Sequence, residues 1–308
     1  MNSAQPFVKW AGGKRKLLPV YVDKYPKRLQ NGEIKKYIEG FVGGGAVFFD
    51  LIKKYQFEEV ILNDVNNILI STYYIIQQNV EVLIDKLERV QANYLEKSPE
   101  ERESYYYEMR DKFNNIKNKI EYDSYGENII DNTRIEASVC FLFLNRTCFN
   151  GLYRENKKGG FNVPAGKYKN PQIVDAKNLR DVSEVLKNVK LTNIDFEQLS
   201  DFVTKDTFVY LDPPYRPLNV TSSFNSYSKG NFDDEEQCRL AKWYHSMSDK
   251  GAAMMLSNSN PKNTNPDDTF FEELYNGFKI YEDIEAARAI NSKASKRGAV
   301  TEILVVNE

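Results

Sequence analysis

Asp212-Pro213-Pro214-Tyr215 follows directly on an apolar run, Thr207-Phe-Val-Tyr-Leu211, and is rich in hydrogen-bond acceptors. Prolines fix φ and carry no N–H, so this turn offers a carboxylate and backbone carbonyls with few donors to quench them. An aromatic amino nitrogen has its lone pair delocalised into its ring. Two acceptors, the Asp212 carboxylate and the Pro213 carbonyl, draw such a nitrogen toward a pyramidal, nucleophilic state, and Tyr215 is placed to stack on the same ring. The competing reading is a proline-stiffened loop with an incidental aspartate.

A second turn, Phe41-Val-Gly-Gly-Gly45, has the makings of a nucleoside site. Gly43, Gly44 and Gly45 let the backbone turn tightly and approach a ligand, and Asp64 ends the next apolar run 21 residues after Gly43, where an acid accepts from ribose hydroxyls. It is a poor dinucleotide fingerprint, because the third glycine of G-x-G-x-x-G would fall at Phe48 and no basic pyrophosphate partner is evident. The expected cofactor contains adenosine without a pyrophosphate; a structural turn with a fortuitous acid is the alternative. If the donor is a sulfonium methyl, already activated, the protein has only to align donor and nitrogen and supply acceptors, without metal or covalent intermediate. Three cysteines (Cys140, Cys148, Cys238) without paired or ligand spacing, and a single histidine, His245, argue the same way against zinc and against Cys-His or Ser-His nucleophiles.

Both turns need strands to carry them. Tyr37-Ile-Glu-Gly-Phe41 reads as a strand running into the glycine turn and a helix from Ala46 to Lys54; Glu59–Asn63 is a second strand, followed by a helix from Asn66 to about Gln78. That is a parallel βαβ unit. Between Val80 and Phe149 the pattern is helical: Val80–Tyr94 and Pro99–Lys119 are charged and amphipathic, and Asn132–Thr147 is more apolar. Residues 150–173 are rich in Gly, Asn, Lys, Pro and Tyr and too long for a plain connection, which marks a functional loop. Strands resume at Val189–Ile194, Thr207–Leu211 and Ala252–Ser257, with a loop over 216–232, a helix at Asp233–Ser248, and a closing hairpin of Phe278–Asp283 and Thr301–Val306. The expected fold is α/β, a Rossmann-like sheet with a C-terminal β-hairpin and an inserted helical domain; 1–79 and 174–308 form the catalytic domain and 80–173 the recognition domain. In an open parallel sheet ligands bind beyond the carboxyl strand ends, so the two turns are expected to serve one crevice.

The chain has 308 residues, of which 41% are apolar, enough for a real core. It contains no run near the roughly 18 apolar residues of a membrane helix, and Met1–Lys9 lacks the apolar stretch of a secretory signal, so a cytoplasmic protein is expected. Net charge is −2, yet residues 1–36 hold nine Lys or Arg against two acids, and residues 146–169 hold six against one. These two basic regions are either solvated faces or grips on phosphate.

Taken together, Gln5-Pro-Phe-Val-Lys-Trp-Ala-Gly-Gly-Lys14, Phe41–Gly45, Asn63-Asp-Val-Asn66, Leu144-Asn-Arg146, Phe149-Asn-Gly-Leu-Tyr-Arg154, Phe161-Asn-Val-Pro164 and Asp212–Tyr215 resemble the Dam-type adenine-N6 DNA methyltransferases over nearly the whole chain and in the same order. The glycine turn precedes the recognition insertion and Asp-Pro-Pro-Tyr follows it, as in the alpha group of amino-methyltransferases. The resemblance implies S-adenosylmethionine as co-substrate and no metal. It places Trp10, Lys14, Phe41, Gly43, Gly45, Asp64 and Asp212 in the cofactor pocket, with Asp64 on the ribose. Asp212, Pro213, Pro214 and Tyr215 are the implied catalytic residues. Duplex DNA is the implied partner, met by Lys9, Arg146, Phe149, Asn150, Leu152, Arg154 and Pro164 and read as GATC; a cognate restriction endonuclease is a further functional partner, and a bacterial or phage source is implied.

Gly12-Gly-Lys14 also hints at a phosphate loop, but Arg15 replaces the Ser or Thr and the glycine spacing is wrong. Some relatives place a tyrosine that wedges into the base stack where Phe149 stands here. The apolar wedge survives and the hydroxyl does not; the alternative is a core ring closing the preceding helix. Cytosine N4, RNA adenine and protein glutamine would suit the acceptor turn equally, and the recognition segment is what favours adenine in DNA. Cytosine C5 methylation needs a Pro-Cys nucleophile that is missing: Val139, Thr147 and Gln237 precede the three cysteines. A catalytically silent DNA-binding protein would be expected to have lost Asp212 or the glycine turn.

Overall fold

The computed structural model describes residues 3–117, 119–120, 131–216, 232–286 and 300–308. Among them seven strands form one mixed sheet: β1 (Lys36–Glu39), β2 (Glu59–Asn63), β3 (Val189–Thr192), β4 (Thr207–Leu211), β5 (Ala253–Ser259), β6 (Lys279–Ala286) and β7 (Val300–Val306), ordered β3-β2-β1-β4-β5-β7-β6. The fold is the expected Rossmann-like α/β class. The chain packs as two compact units, one of residues 1–13, 43–49 and 63–194, the other of residues 14–42, 50–62 and 195–308.

In the second unit β1 pairs in parallel with β2 on one side and β4 on the other, and β5 runs parallel to β4. β4 and β5 are buried along their whole lengths, and a strand covered on both faces reads as a near-continuous apolar run, as β4 does after Thr207 and β5 does up to Leu256. β7 and β6 then add antiparallel, forming the expected hairpin, whose connection lies outside the described residues. The strand order reverses between β1 and β4, the position where an open α/β sheet receives ligands. Ile38 pairs with Val209 and Glu39 with Tyr210, so Gly40-Phe41-Val42 and Asp212–Tyr215 leave neighbouring strand ends in register.

The first unit is chiefly helical. The glycine turn runs into α1 (Ala46–Leu51), which stops short of the expected Lys54. Downstream lie α2 (Asn67–Glu96), α3 (Pro99–Lys117), α4 (Asn132–Thr147) and α5 (Ala176–Leu186). α2 joins the two helices expected at 66–78 and 80–94 through a kink at Asn79 (φ −144°, ψ 38°). The boundary expected at 79/80 lies at this kink. At the other expected boundary, Gln91 of α2 accepts from the Ile173 and Val174 N–H groups (2.8 and 3.2 Å), which keeps that segment within the helical unit.

α4 begins where Asp131 accepts from the Arg134 N–H (2.7 Å), a cap worth about 1 kcal/mol. From Arg134 to Thr147 it is buried except at Glu136 and Arg146. Phe143 packs edge-on against Tyr94 of α2 and Tyr105 of α3, at 5.2 and 5.6 Å between ring centres. A buried phenylalanine side chain stabilises the folded state by roughly 1.5–3 kcal/mol. Glu136 ion-pairs with Lys86 of α2 and Lys112 of α3, both at 2.6 Å, so one carboxylate ties the three helices. No helix among the described residues is long and apolar enough to cross a membrane. The loop expected over 216–232 falls almost wholly outside the described residues.

Candidate active site

The glycine turn is held by Asp64. This buried carboxylate accepts the Gly43 N–H on Oδ2 and the Asn66 N–H on Oδ1, both at 2.9 Å. Burial pushes the carboxyl above its usual range and the two backbone N–H groups pull it back. Each oxygen retains a lone pair for a further donor. The Tyr73 hydroxyl donates to the Gly43 carbonyl (3.1 Å), so both polar groups of Gly43 are engaged. Gly43 has φ +46°, and a Cβ there would stand 2.6 Å from Trp10 Cδ1. The turn thus lies closed against an indole, which a side chain would prevent. Gly45 (φ +69°) sits beneath the Tyr73 hydroxyl. Trp10 is itself stacked on Tyr153, centroids 5.6 Å apart and planes 20° apart. In the second unit, Phe41 packs against Phe196 (6.0 Å) and edge-on to Phe232 (5.6 Å).

Asp212–Tyr215 leaves β4 over a polar cradle built by β5. Ser257 Oγ donates to Asp212 Oδ1 (2.9 Å), and the Lys14 ammonium pairs with the same oxygen at 3.1 Å. Among the described residues nothing donates to Oδ2. Burial raises the Asp212 carboxyl above its usual range, Lys14 opposes the rise, and Glu302 of β7 adds to it. Gln237, fully buried on α6 (Asp234–Asp249), donates to the Pro214 carbonyl (3.0 Å) and accepts from Asn258 Nδ2 (3.1 Å). Asn258 Oδ1 accepts the Arg216 N–H (3.3 Å), and Ser259 Oγ donates to the Arg216 carbonyl (3.1 Å). Arg216 is clamped by Asp234 and Asp268 (2.8 Å each) over the Phe270 ring. The Asp212–Tyr215 turn is therefore fixed at both ends. Tyr215 is pinned through its hydroxyl, which donates to Glu302 Oε2 (2.6 Å), while the Lys14 ammonium lies 4.4 Å from its ring centre.

Residues 147–166 fold back on themselves as a narrow loop in the helical unit. The Phe149 N–H donates to the Pro164 carbonyl (2.9 Å), the Asn162 N–H to the Arg154 carbonyl (3.1 Å) and the Asn156 N–H to the Gly160 carbonyl (2.8 Å). Phe149 is 54% exposed, so it is not a core ring closing α4. Asn150 has φ +58°, the left-handed region that a short polar side chain tolerates. Gly151 has φ +64°, and a Cβ there would strike the Lys9 side chain. Lys9 is held to the last turn of α4, just before this loop, by reciprocal bonds between its backbone and the Asn145 amide (2.8 Å each). Arg154 and Pro164 are exposed, Leu152 is half-buried, and Arg154 Nε donates to Asn162 Oδ1 (2.9 Å). Arg146 is half-buried and donates to the Phe7 carbonyl (2.7 Å), which ties down the N-terminal segment.

Residues 10–290 match the family model described as D12 class N6 adenine-specific DNA methyltransferase. The chain belongs to that class. This D12 methyltransferase is 47% identical over 304 residues to the type II methyltransferase M.MjaIII of Methanocaldococcus jannaschii, with 98% of this chain and 99% of that one covered. It is 38% identical over 306 residues to the type II methyltransferase M1.LlaDCHI of Lactococcus lactis subsp. cremoris (98% and 95% covered). It is 31% identical over 307 residues to a DNA adenine methylase of Salmonella typhi (99% and 96% covered).

Within the helical unit of this methyltransferase, Trp10, Gly43, Gly45 and Asp64 come together, and Lys9 with Arg146, Phe149, Asn150, Leu152, Arg154 and Pro164 gather about the loop after α4. Within the second unit, Lys14 meets Asp212 and Tyr215, and Phe41 leaves the strand beside them. Sequence reasoning missed Tyr153 behind Trp10, and Ser257, Asn258, Gln237 and Glu302 around the Asp212–Tyr215 turn. The run Ser257-Asn-Ser259, polar at the end of an otherwise apolar buried strand, was the available signal.

Proposed function

We propose that this methyltransferase moves a methyl group from S-adenosylmethionine to N6 of an adenine turned out of duplex DNA, within GATC, by direct in-line transfer. The division of roles at Asp212 supports the reading most strongly: Oδ1 is taken by Lys14 and Ser257, which leaves Oδ2 for an incoming donor. An amino group arriving there donates to Oδ2 and to the Pro213 carbonyl, since the Pro214 carbonyl is already held by Gln237. Both bonds pull electron density toward the nitrogen, and the proton it sheds leaves along the bond to Asp212 or to water. Tyr215 offers the base a ring that Glu302 keeps in one orientation.

The glycine turn fits S-adenosylmethionine, because Asp64 keeps acceptor capacity for ribose hydroxyls and the backbone at Gly43 has no room for a side chain. Trp10, Lys14, Phe41, Gly43, Gly45, Asp64 and Asp212 would hold it. When bound it supplies a methyl group already activated as a sulfonium.

Residues 1–79 and 174–308 carry the chemistry in this reading and 80–173 the recognition. Lys9, Asn150, Leu152, Arg154 and Pro164 face the bases, Phe149 is the wedge, and Arg146 supports them from the loop's base. GATC rests on the resemblance of this loop to the Dam-type enzymes. Because two relatives carry type II names, a restriction endonuclease of the same specificity is the expected functional partner.

Methylation of duplexes carrying GATC and each single-base variant, with modified bases mapped, tests the specificity. GATC alone is expected to be modified, and equal modification of a variant would remove that assignment. Arg154→Ala is expected to relax choice at one base pair, by about 1–3 kcal/mol of discrimination. A uniform loss of affinity across all sequences would instead place Arg154 on phosphate.

A further inference from the structure

Lys14 has only 3% of its side chain exposed, and an ammonium withdrawn from water needs carboxylate to match it. Asp212 alone would serve. A second carboxylate is nevertheless present: Glu302 Oε2 stands 3.0 Å from the ammonium, against 3.1 Å for Asp212 Oδ1, and its side chain is 14% exposed. Lys14 is shared, not committed. The same Glu302 oxygen accepts the Tyr215 hydroxyl at 2.6 Å, and that hydroxyl also contacts the Lys14 ammonium. One carboxylate oxygen thus holds two groups of the catalytic turn's surroundings.

The sheet explains how Glu302 comes to be there. It lies on β7 opposite Ser259 of β5, two residues along from Leu304, which lies opposite Ser257. Alternation puts Glu302 on the same face as Ser257, the residue that donates to Asp212. On the other side of β7, β6 is irregular, the step from Tyr281 to Ile284 spanning Leu304 to Glu302. Such bulges re-aim side chains beside functional sites.

An ammonium wholly given to Asp212 would compete with the base for that carboxylate, and a tyrosine without an anchored hydroxyl would have a free ring. We propose that Glu302 is a positioning residue for methyl transfer: it holds the Lys14 ammonium off Asp212 in part and fixes the Tyr215 ring, so that Asp212 keeps an oxygen for the amino group. The inference rests on the reading that Asp212 and Tyr215 receive the base. Among the described residues, the titratable groups coupled to Asp212 are Lys14, Glu302, Tyr210 of β4 and Tyr21. Removing the Glu302 charge relieves Asp212 of a like charge while Lys14 falls wholly to it, so the Asp212 carboxyl titrates lower.

The test is single-turnover methyl transfer into duplex DNA, enzyme in excess, as a function of pH for the wild type, Glu302→Gln, Glu302→Ala and Glu302→Asp, with Asp212→Asn in parallel. Glu302→Gln should slow transfer by on the order of 10- to 100-fold and move the acid limb of the profile to lower pH. Glu302→Ala, which also frees Tyr215, should be slower still, and Glu302→Asp should recover part of the rate. Wild-type rates for Glu302→Gln with Asp212→Asn inactive would overturn the inference alone. So would a slowed Glu302→Gln whose acid limb is unmoved, the mark of a merely structural role. An active Asp212→Asn would overturn the reading of the site on which the inference stands.

Discussion

Asp212→Ala is expected to lower incorporation of labelled methyl into duplex DNA by on the order of 10³-fold or more, with thermal unfolding shifted by no more than a few degrees. The chemical loss follows from the acceptor geometry: without Oδ2 the amino nitrogen has one acceptor fewer and stays conjugated with its ring. The small structural cost follows from Lys14. Removing one partner of a buried pair ordinarily strands the other charge, at about 3–5 kcal/mol. Here Glu302 remains 3.0 Å from the ammonium, so the charge is not stranded. Asp212 is also one-fifth exposed at the strand end, so its loss opens no core cavity. Undiminished incorporation would remove Asp212 from the reaction, and a collapse of the fold would show that its main role is to neutralise Lys14.

Gly43→Ala is expected to weaken S-adenosylmethionine binding by about 10- to 100-fold while DNA affinity without cofactor changes by less than about threefold. A side chain at φ +46° is strained, and its Cβ would stand 2.6 Å from the Trp10 ring. Strain of this kind costs of order 1–3 kcal/mol, and 1.4 kcal/mol is tenfold in affinity. The backbone can escape only by releasing the Asp64 carboxylate, the Tyr73 hydroxyl or the stack of Trp10 on Tyr153. Each release loosens the group proposed to meet the ribose or the ring proposed to line the pocket. Calorimetric titration with the cofactor or its demethylated product measures the effect. Unaltered binding would mean that the turn is a structural αβ connection, the alternative that its glycines alone left open.

Much of this was legible in the sequence, and the reasons are local. Thr207–Leu211 is apolar after its first residue and stops at an aspartate followed by two prolines, so both the buried strand and its end could be read to the residue. Asn132–Thr147 is bracketed by a capping aspartate and an extended Cys148, and the helix keeps those limits. The break expected between Gln78 and Val80 is where Asn79 leaves helical backbone angles and kinks α2. What could not be read was long-range pairing. Glu302 sits among apolar residues of β7 where a polar residue would ordinarily face solvent, and only the sheet brings it to Lys14, 288 positions away. Gln237 looks like any polar residue of a charged helix until it is found fully buried beneath Pro214. Arg146 reads as a DNA cation in a basic stretch, yet its guanidinium reaches back to the Phe7 carbonyl. Charge in a sequence gives composition, and burial decides what that charge does.

The atom that receives the methyl group decides whether this activity is the right one. The measurement is incubation with S-adenosylmethionine labelled in its methyl group and a duplex containing GATC, followed by hydrolysis to nucleosides and their separation. The label is expected in N6-methyldeoxyadenosine alone, and it should disappear from that nucleoside in Asp212→Ala. Label in N4-methyldeoxycytidine, or label in N6-methyldeoxyadenosine that persists in the variant, would contradict it.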